Sequence, residues 1–220
     1  MTRDLEALIL ASASPRRREL IGLLGVPFRV EPSRYEEPSP PPHSVSLPGL
    51  VKELAANKAL EVAGRMHAAW ILGADTLVSL DEGVGAPMGK PVDEEDARRM
   101  LALLSGRDHF VYTGLALISP RPAGEPPVAI TMAVKTRVWF RELTSDMIED
   151  YVATGEPMDK AGAYGAQGFA APFIERYDGD YNNVVGLPLC EVGLLLEKCG
   201  FDWQKLRRRG LVEQLGSAGR

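Results

Sequence analysis

A few charged residues, set among apolar or glycine-rich segments, carry most of the chemistry this sequence offers. Ser14-Pro15-Arg16-Arg17-Arg18 follows the apolar run Leu8-Ile9-Leu10-Ala11. Serine before proline marks a helix start, with Ser14 as N-cap and Pro15 in the first turn. A helix N-terminus carries partial positive charge and open N–H groups, so each cation placed there costs roughly 0.3–1 kcal/mol. Three successive arginines therefore point to a compensating anion, most simply a phosphate. Arg18 reads as a solvent-facing charge, and Ser14, Arg16 and Arg17 as the anion site.

Asp75 is the one charge in AAWILGADTLVSL, Ala68 to Leu80. Burying a carboxylate in so apolar a run is costly unless it is paired, holds a metal or lines a cavity. A surface turn between two strands is the bland alternative, and the apolar segments on both sides argue against it. Lys58 falls on the apolar face of a helix, four residues after Leu54 and four before Val62. Two readings stand: the lysine snorkels past the core edge, or its ammonium reaches a cleft to meet phosphate. Lys90, between Gly89 and Pro91, is by default exposed and within reach of a ligand. Glu36 and Glu37 open a Pro-rich loop. Adjacent loop acids are usually solvated, and they can also hold a divalent ion beside a phosphate. In MDKAGAYGAQG, Met158 to Gly168, the glycines allow close backbone approach to a ligand, and Gln167 offers donors and an acceptor suited to a base edge.

The elements that must position these groups follow from patterning. Leu8–Ala11 reads as a buried strand, the segment after Ser14 as a helix closing at Gly25, and Phe28-Arg29-Val30 as a short strand. Tyr35 to Ser44 is a loop. Pro48 to Met66 is a helix. Ala68 to Leu80 reads as strand, break at Gly73-Ala74, strand. Asp93 caps a helix ending at Ser105-Gly106, whose first-turn acids Glu94, Glu95 and Asp96 obey the dipole rule that the first helix breaks. His109 to Ser119 and Val128 to Leu143 form an antiparallel hairpin. A helix follows from Thr144 or Ser145 to Thr154, DGDYNN (Asp178 to Asn183) is a turn, and Leu187 to Cys199 is a closing helix. Residues 1–204 make one domain, and the basic tail 205–220 is expected to fray.

Net charge of −5 over 220 residues argues against general nucleic-acid or membrane-surface binding. A local basic cluster in an acidic chain suits a small anionic ligand. Arg3, Asp4 and Glu6 speak against a signal peptide, and no apolar run approaches a membrane span. Cys190 and Cys199, nine residues apart on a helix, cannot pair with each other there, which fits a reducing cytoplasm. The three histidines show no metal-ligand spacing.

These motifs together resemble the Maf family of nucleoside triphosphate pyrophosphatases, historically called septum formation proteins. The likeness rests on SASPRRREL (Ser12–Leu20), ANKA around Lys58, LGADT (Leu72–Thr76), GKP (Gly89–Pro91), LSGR (Leu104–Arg107), MDKAGAYGAQG and VVGLPL (Val184–Leu189). It implies an α/β fold with a long twisted mixed sheet flanked by helices, two lobes around a central cleft, shared with inosine triphosphatases, and often a homodimer. It implies hydrolysis of a nucleoside triphosphate between the α and β phosphates, with Mg²⁺ or Mn²⁺ as cofactor. It assigns Asp75 as proton acceptor and metal contact, with Glu37 as the second metal candidate. Arg16, Thr76 and Gln167 match the branch acting on dTTP, UTP and modified pyrimidine triphosphates, and differ from the 7-methyl-GTP branch. Ser14, Arg17, Lys58 and Lys90 are the expected phosphate contacts. The rival expectations are a purine-directed pyrophosphatase clearing inosine or xanthosine triphosphate, and a non-catalytic nucleotide-binding regulator of division.

Overall fold

The computed structural model describes residues 8–37 and 45–208. The first residues, most of the Pro-rich loop and the end of the basic tail lie outside the described residues. The scaffold is a six-stranded mixed sheet in the order β2-β1-β4-β6-β7-β8. Its strands are β1 (Leu8–Leu10), β2 (Phe28–Val30), β4 (Trp70–Ser79), β6 (Asp108–Ile118), β7 (Ala129–Phe140) and β8 (Ile174–Asp178). β2, β1 and β4 run parallel, while β6, β7 and β8 extend the sheet antiparallel. A small second sheet pairs β3 (Val45–Ser46) with β5 (Val84–Gly85).

Helix α1 (Pro15–Gly22) makes the β1–β2 crossover and α2 (Leu47–Arg65) the connection to β4, as parallel neighbours require. α2 lies across β4, β6 and β7 on one face. Its stripe of Val51, Leu54, Ala55, Ala59 and Val62 is buried against Ile71, Leu77, Tyr112 and Ala116. The approach is close because two sheet positions lack a side chain. A Cβ on Gly73 would stand 2.3 Å from the Ala55 carbonyl oxygen, and one on Gly114 would stand 1.9 Å from that of Val51. Gly73 is therefore no strand break. β4 runs continuously from Trp70 to Ser79, correcting the two-strand expectation.

The other face carries two apolar clusters. One gathers Leu72, Ala74, Leu115 and Leu117 under α1, α5 (Tyr181–Val185) and α6 (Leu189–Lys198). The second gathers Val78, Val111, Val138 and Phe140 under α3 (Glu94–Leu104), α4 (Ser145–Ala153) and the glycine-rich segment. Between them runs a polar seam. Thr76 and Thr113 face each other at 2.9 Å, the Thr113 hydroxyl donates to the Asn183 carbonyl oxygen, and the Asn183 amide donates to Thr136 at 3.0 Å. The expected lobes are these two packed ends of one sheet.

Several expectations near the C-terminus need correction. The turn placed over Asp178 to Asn183 begins at the end of β8 and runs into α5. Residues 203–208 are helical, with Leu206 packed on the first cluster, so the tail does not fray from Lys205 as expected. Cys190 and Cys199 are both free thiols. Among the described residues no helix is long and apolar enough to cross a membrane.

Candidate active site

β1 pairs with β4 only as far as Leu72, and the next partner on that edge is Met88, opposite Val78. Among the described residues no strand covers β4 between them. A cleft of about 600 Å³ opens there, bounded by the start of α1, the Lys90 loop and the glycine-rich segment. Asp75 and Thr76 are successive strand residues, so their side chains leave opposite faces of the sheet. At this uncovered edge both line the cleft.

Asp75 is 5% exposed. Its Oδ1 accepts a hydrogen bond from Lys58 Nζ at 2.5 Å, and the same ammonium meets Glu37 Oε1 at 2.6 Å. The close seating of α2 on Gly73 and Gly114 delivers Lys58 to this point, since Gly114 is the register partner of Asp75. The Lys58 ammonium reaches the cleft, where it is paired with two carboxylates. Burial raises the Asp75 pKa above its ordinary value, although Lys58 and Arg17 both pull it down. Asp75 Oδ2 is buried with no hydrogen-bond partner among the described residues. A poised carboxylate of this kind can take a proton from water or contact a cation.

Ser14 caps α1, its hydroxyl accepting from the Arg17 backbone N–H at 3.4 Å, and it lines the cleft. Arg16 also lines the cleft and faces Asp159 at 3.6 Å. Lys90 and Gln167 are exposed and line the cleft, and neither side chain makes a hydrogen bond or ion pair among the described residues. Arg18 and Glu36 are exposed, as expected.

Arg17 departs from the anion-site expectation. Its Nε donates to the Gly186 carbonyl oxygen at 2.8 Å. One terminal nitrogen donates to the Ala74 carbonyl at 2.9 Å and the Ser12 hydroxyl at 3.3 Å, and the other to Thr76 Oγ1 at 2.9 Å. Four of the five guanidinium N–H groups are thereby bound within the protein. Arg17 pins α1 to β4 and the end of α5, and burial lowers its pKa. Its charge still lies close enough to Asp75 to stabilise the carboxylate. Thr76 is likewise engaged with Arg17 and Thr113.

Three residues beyond the expected site set belong to this region. Lys160 lines the cleft, its ammonium donating to the Glu156 carbonyl at 2.7 Å and to Asp159 at 2.6 Å. Tyr164, also on the wall, bonds His109 Nε2 through its hydroxyl at 2.8 Å. Glu156 sits inside the glycine-rich turn. The Asp159-Lys160 pair and Tyr164 stood out within MDKAGAYGAQG; Glu156 had no local signal. The glycines are also explained differently than expected. A Cβ on Gly168 would stand 2.2 Å from the Glu156 carboxylate, and one on Gly165 would stand 2.7 Å from the Lys160 stem. These glycines admit the protein's own side chains.

Residues 7–199 match the family described as Maf-like protein. The chain belongs to the Maf family. Relatives named dTTP/UTP pyrophosphatase include one from Moorella thermoacetica, 52% identical over 89% of this chain and 96% of its own. Another from Pelotomaculum thermopropionicum is 44% identical over 90% and 99%, and one from a Geobacillus species is 43% identical over 90% and 100%. A solved structure titled nucleoside-triphosphatase / dITP/XTP pyrophosphatase, from Mycobacterium abscessus, covers 87% of this chain and 94% of its own at 14% identity. Its TM-score is 0.43, too distant a likeness to argue from. In this Maf protein the family motifs converge on one place: the SPRR, GADT, GKP and glycine-rich segments all border the same cleft.

Proposed function

We propose that this Maf protein hydrolyses dTTP and UTP to the monophosphate and pyrophosphate. The observation that carries the reading is the Asp75 carboxylate, buried beside Lys58 at the floor of a cleft whose rims present Arg16 and Lys90. A triphosphate brings about four negative charges, which a cleft with several cations can hold. Water attacks the α-phosphorus, its proton passes to Asp75, and the bond to the bridging α–β oxygen breaks to release pyrophosphate. Lys58 holds Asp75 in place and offers its charge to the phosphates. Lys90 and Arg16 take the phosphate chain, and Gln167 reads the pyrimidine. The relatives' shared name supports the substrate pair.

Asp75 and Glu37 suit a divalent cation, Mg²⁺ or Mn²⁺. Both are hard oxygen donors, and Asp75 Oδ2 is buried without a partner among the described residues. Among the described residues no group of three or more acidic, histidine or cysteine side chains is assembled for a metal. The donor set therefore matches a cation that takes most of its ligands from phosphate and water. When bound, such an ion neutralises charge building on the phosphates. A homodimeric state and a cytoplasmic setting belong to the same reading through the family resemblance.

The test is product analysis with Mg²⁺ or Mn²⁺ over dTTP, UTP, CTP and inosine triphosphate, resolving pyrophosphate from orthophosphate. Pyrophosphate from dTTP and UTP, well ahead of the others, is expected. Orthophosphate as first product, or equal turnover of all four, would overturn the reading.

A further inference from the structure

Gln167 lies on a short segment held at both ends. At one end the Gly165 backbone N–H donates to the Tyr151 hydroxyl oxygen at 3.0 Å, and that hydroxyl donates to Glu156 Oε1 at 2.9 Å. At the other end the Phe169 N–H donates to Glu156 Oε2 at 3.0 Å. One carboxylate thus closes the turn, each oxygen securing one end. The fit is tight enough to require glycine at 165 and 168. Within the segment Ala166 is buried and the Gln167 side chain is exposed on the cleft. The backbone is fixed, yet the Gln167 amide makes no hydrogen bond among the described residues. Fixed backbone beneath an uncommitted polar group is the arrangement a ligand-reading side chain needs.

We propose that Glu156 and Tyr151 are positioning residues for base selection: they set the height and angle at which Gln167 meets the nucleobase. Neither is within the catalytic cluster of Asp75, Lys58 and Glu37. The inference rests on the function proposed above and adds to it the device that makes Gln167 selective.

The experiment measures kcat and KM for dTTP and CTP in the parent, Glu156→Gln, Tyr151→Phe, Gln167→Ala and the double variant Glu156→Gln/Gln167→Ala, with thermal midpoints alongside. Glu156→Gln keeps the shape and loses one acceptor; Tyr151→Phe removes only the bridging oxygen. In both, preference for dTTP over CTP should fall about tenfold, through KM, with kcat for dTTP within about twofold of the parent. In the double variant the preference should be no lower than in Gln167→Ala alone, because both changes remove the same interaction. Lowered thermal midpoints with unchanged preference, or losses that add in the double variant, would overturn the proposal. Should Glu156→Gln fail to fold, Tyr151→Phe carries the same comparison. A parent that releases no pyrophosphate, or treats dTTP and CTP alike, overturns the function itself; a discriminating parent with equally discriminating variants overturns only the clamp.

Discussion

Asp75 and Arg17 show how differently two charges set into one cleft can be used. The raised pKa of Asp75 means that the folded chain holds this proton more tightly than the unfolded chain does. Its ionised form therefore opposes folding at neutral pH, and that cost fades as pH falls through the folded pKa. Asp75→Asn should accordingly be as stable as the parent or more so, while pyrophosphate release falls by about 10²–10⁴-fold; calorimetry and turnover, measured together, check both. Arg17→Ala should behave in the opposite way. It strands the Ala74 and Gly186 carbonyls and unties Thr76, so the fold should lose about 3 kcal/mol or more, read by denaturant unfolding. Asp75 was legible because one acid in an apolar run is a local signal. The role of Arg17 was not: its partners lie 57, 59 and 169 residues away along the chain, and the helix-dipole argument sees only its own turn.

At the scale of elements, helices α1, α2, α3, α4 and α6 and the β6–β7 hairpin followed from capping residues and periodicity. What failed was the interpretation of glycine. Gly73 looked like punctuation because strands seldom tolerate it without reason. The reason is a helix crossing, which becomes visible only when α2 is packed on the sheet. Gly114→Ala tests this. Its new Cβ would overlap the Val51 carbonyl and lift α2 away, drawing Lys58 off Asp75. The expected outcome is a loss of about 1–3 kcal/mol together with a fall in kcat, whereas the exposed helical Gly64, with open space around it and an ordinary φ, should accept alanine. β8 escaped notice for another reason. It is an edge strand, IERYD, whose Glu175, Arg176 and Asp178 are exposed, with little apolar signal to read.

For the molecule as a whole, one buried imidazole should dominate part of the acid response. His109, wedged between Phe140 and Tyr164, has its pKa pushed down to about 3 by burial. Between its ordinary value of 6.5 and about 3 the unfolded chain binds a proton that the folded chain refuses. Stability should therefore decline as pH drops through that window, by up to about 1.4 kcal/mol per pH unit from this group alone. Thermal midpoints from pH 7 down to pH 4 measure the slope, and His109→Gln should flatten it. The family resemblance implied a two-lobed molecule but not what joins the lobes. β4 contributes Leu72 and Ala74 to one cluster and Val78 to the other, and β6 does the same with Leu115 and Val111. The ladder between these strands runs without interruption from Ile71 opposite Ile118 to Ser79 opposite Phe110. Such a sheet is a girder shared by both halves. Opening and shutting the halves like a book would mean tearing the girder, so nucleotide must enter a mouth already close to its working width. Recognition then falls to side chains held out from that fixed frame, and the molecule works more as a gauge of set width than as a trap.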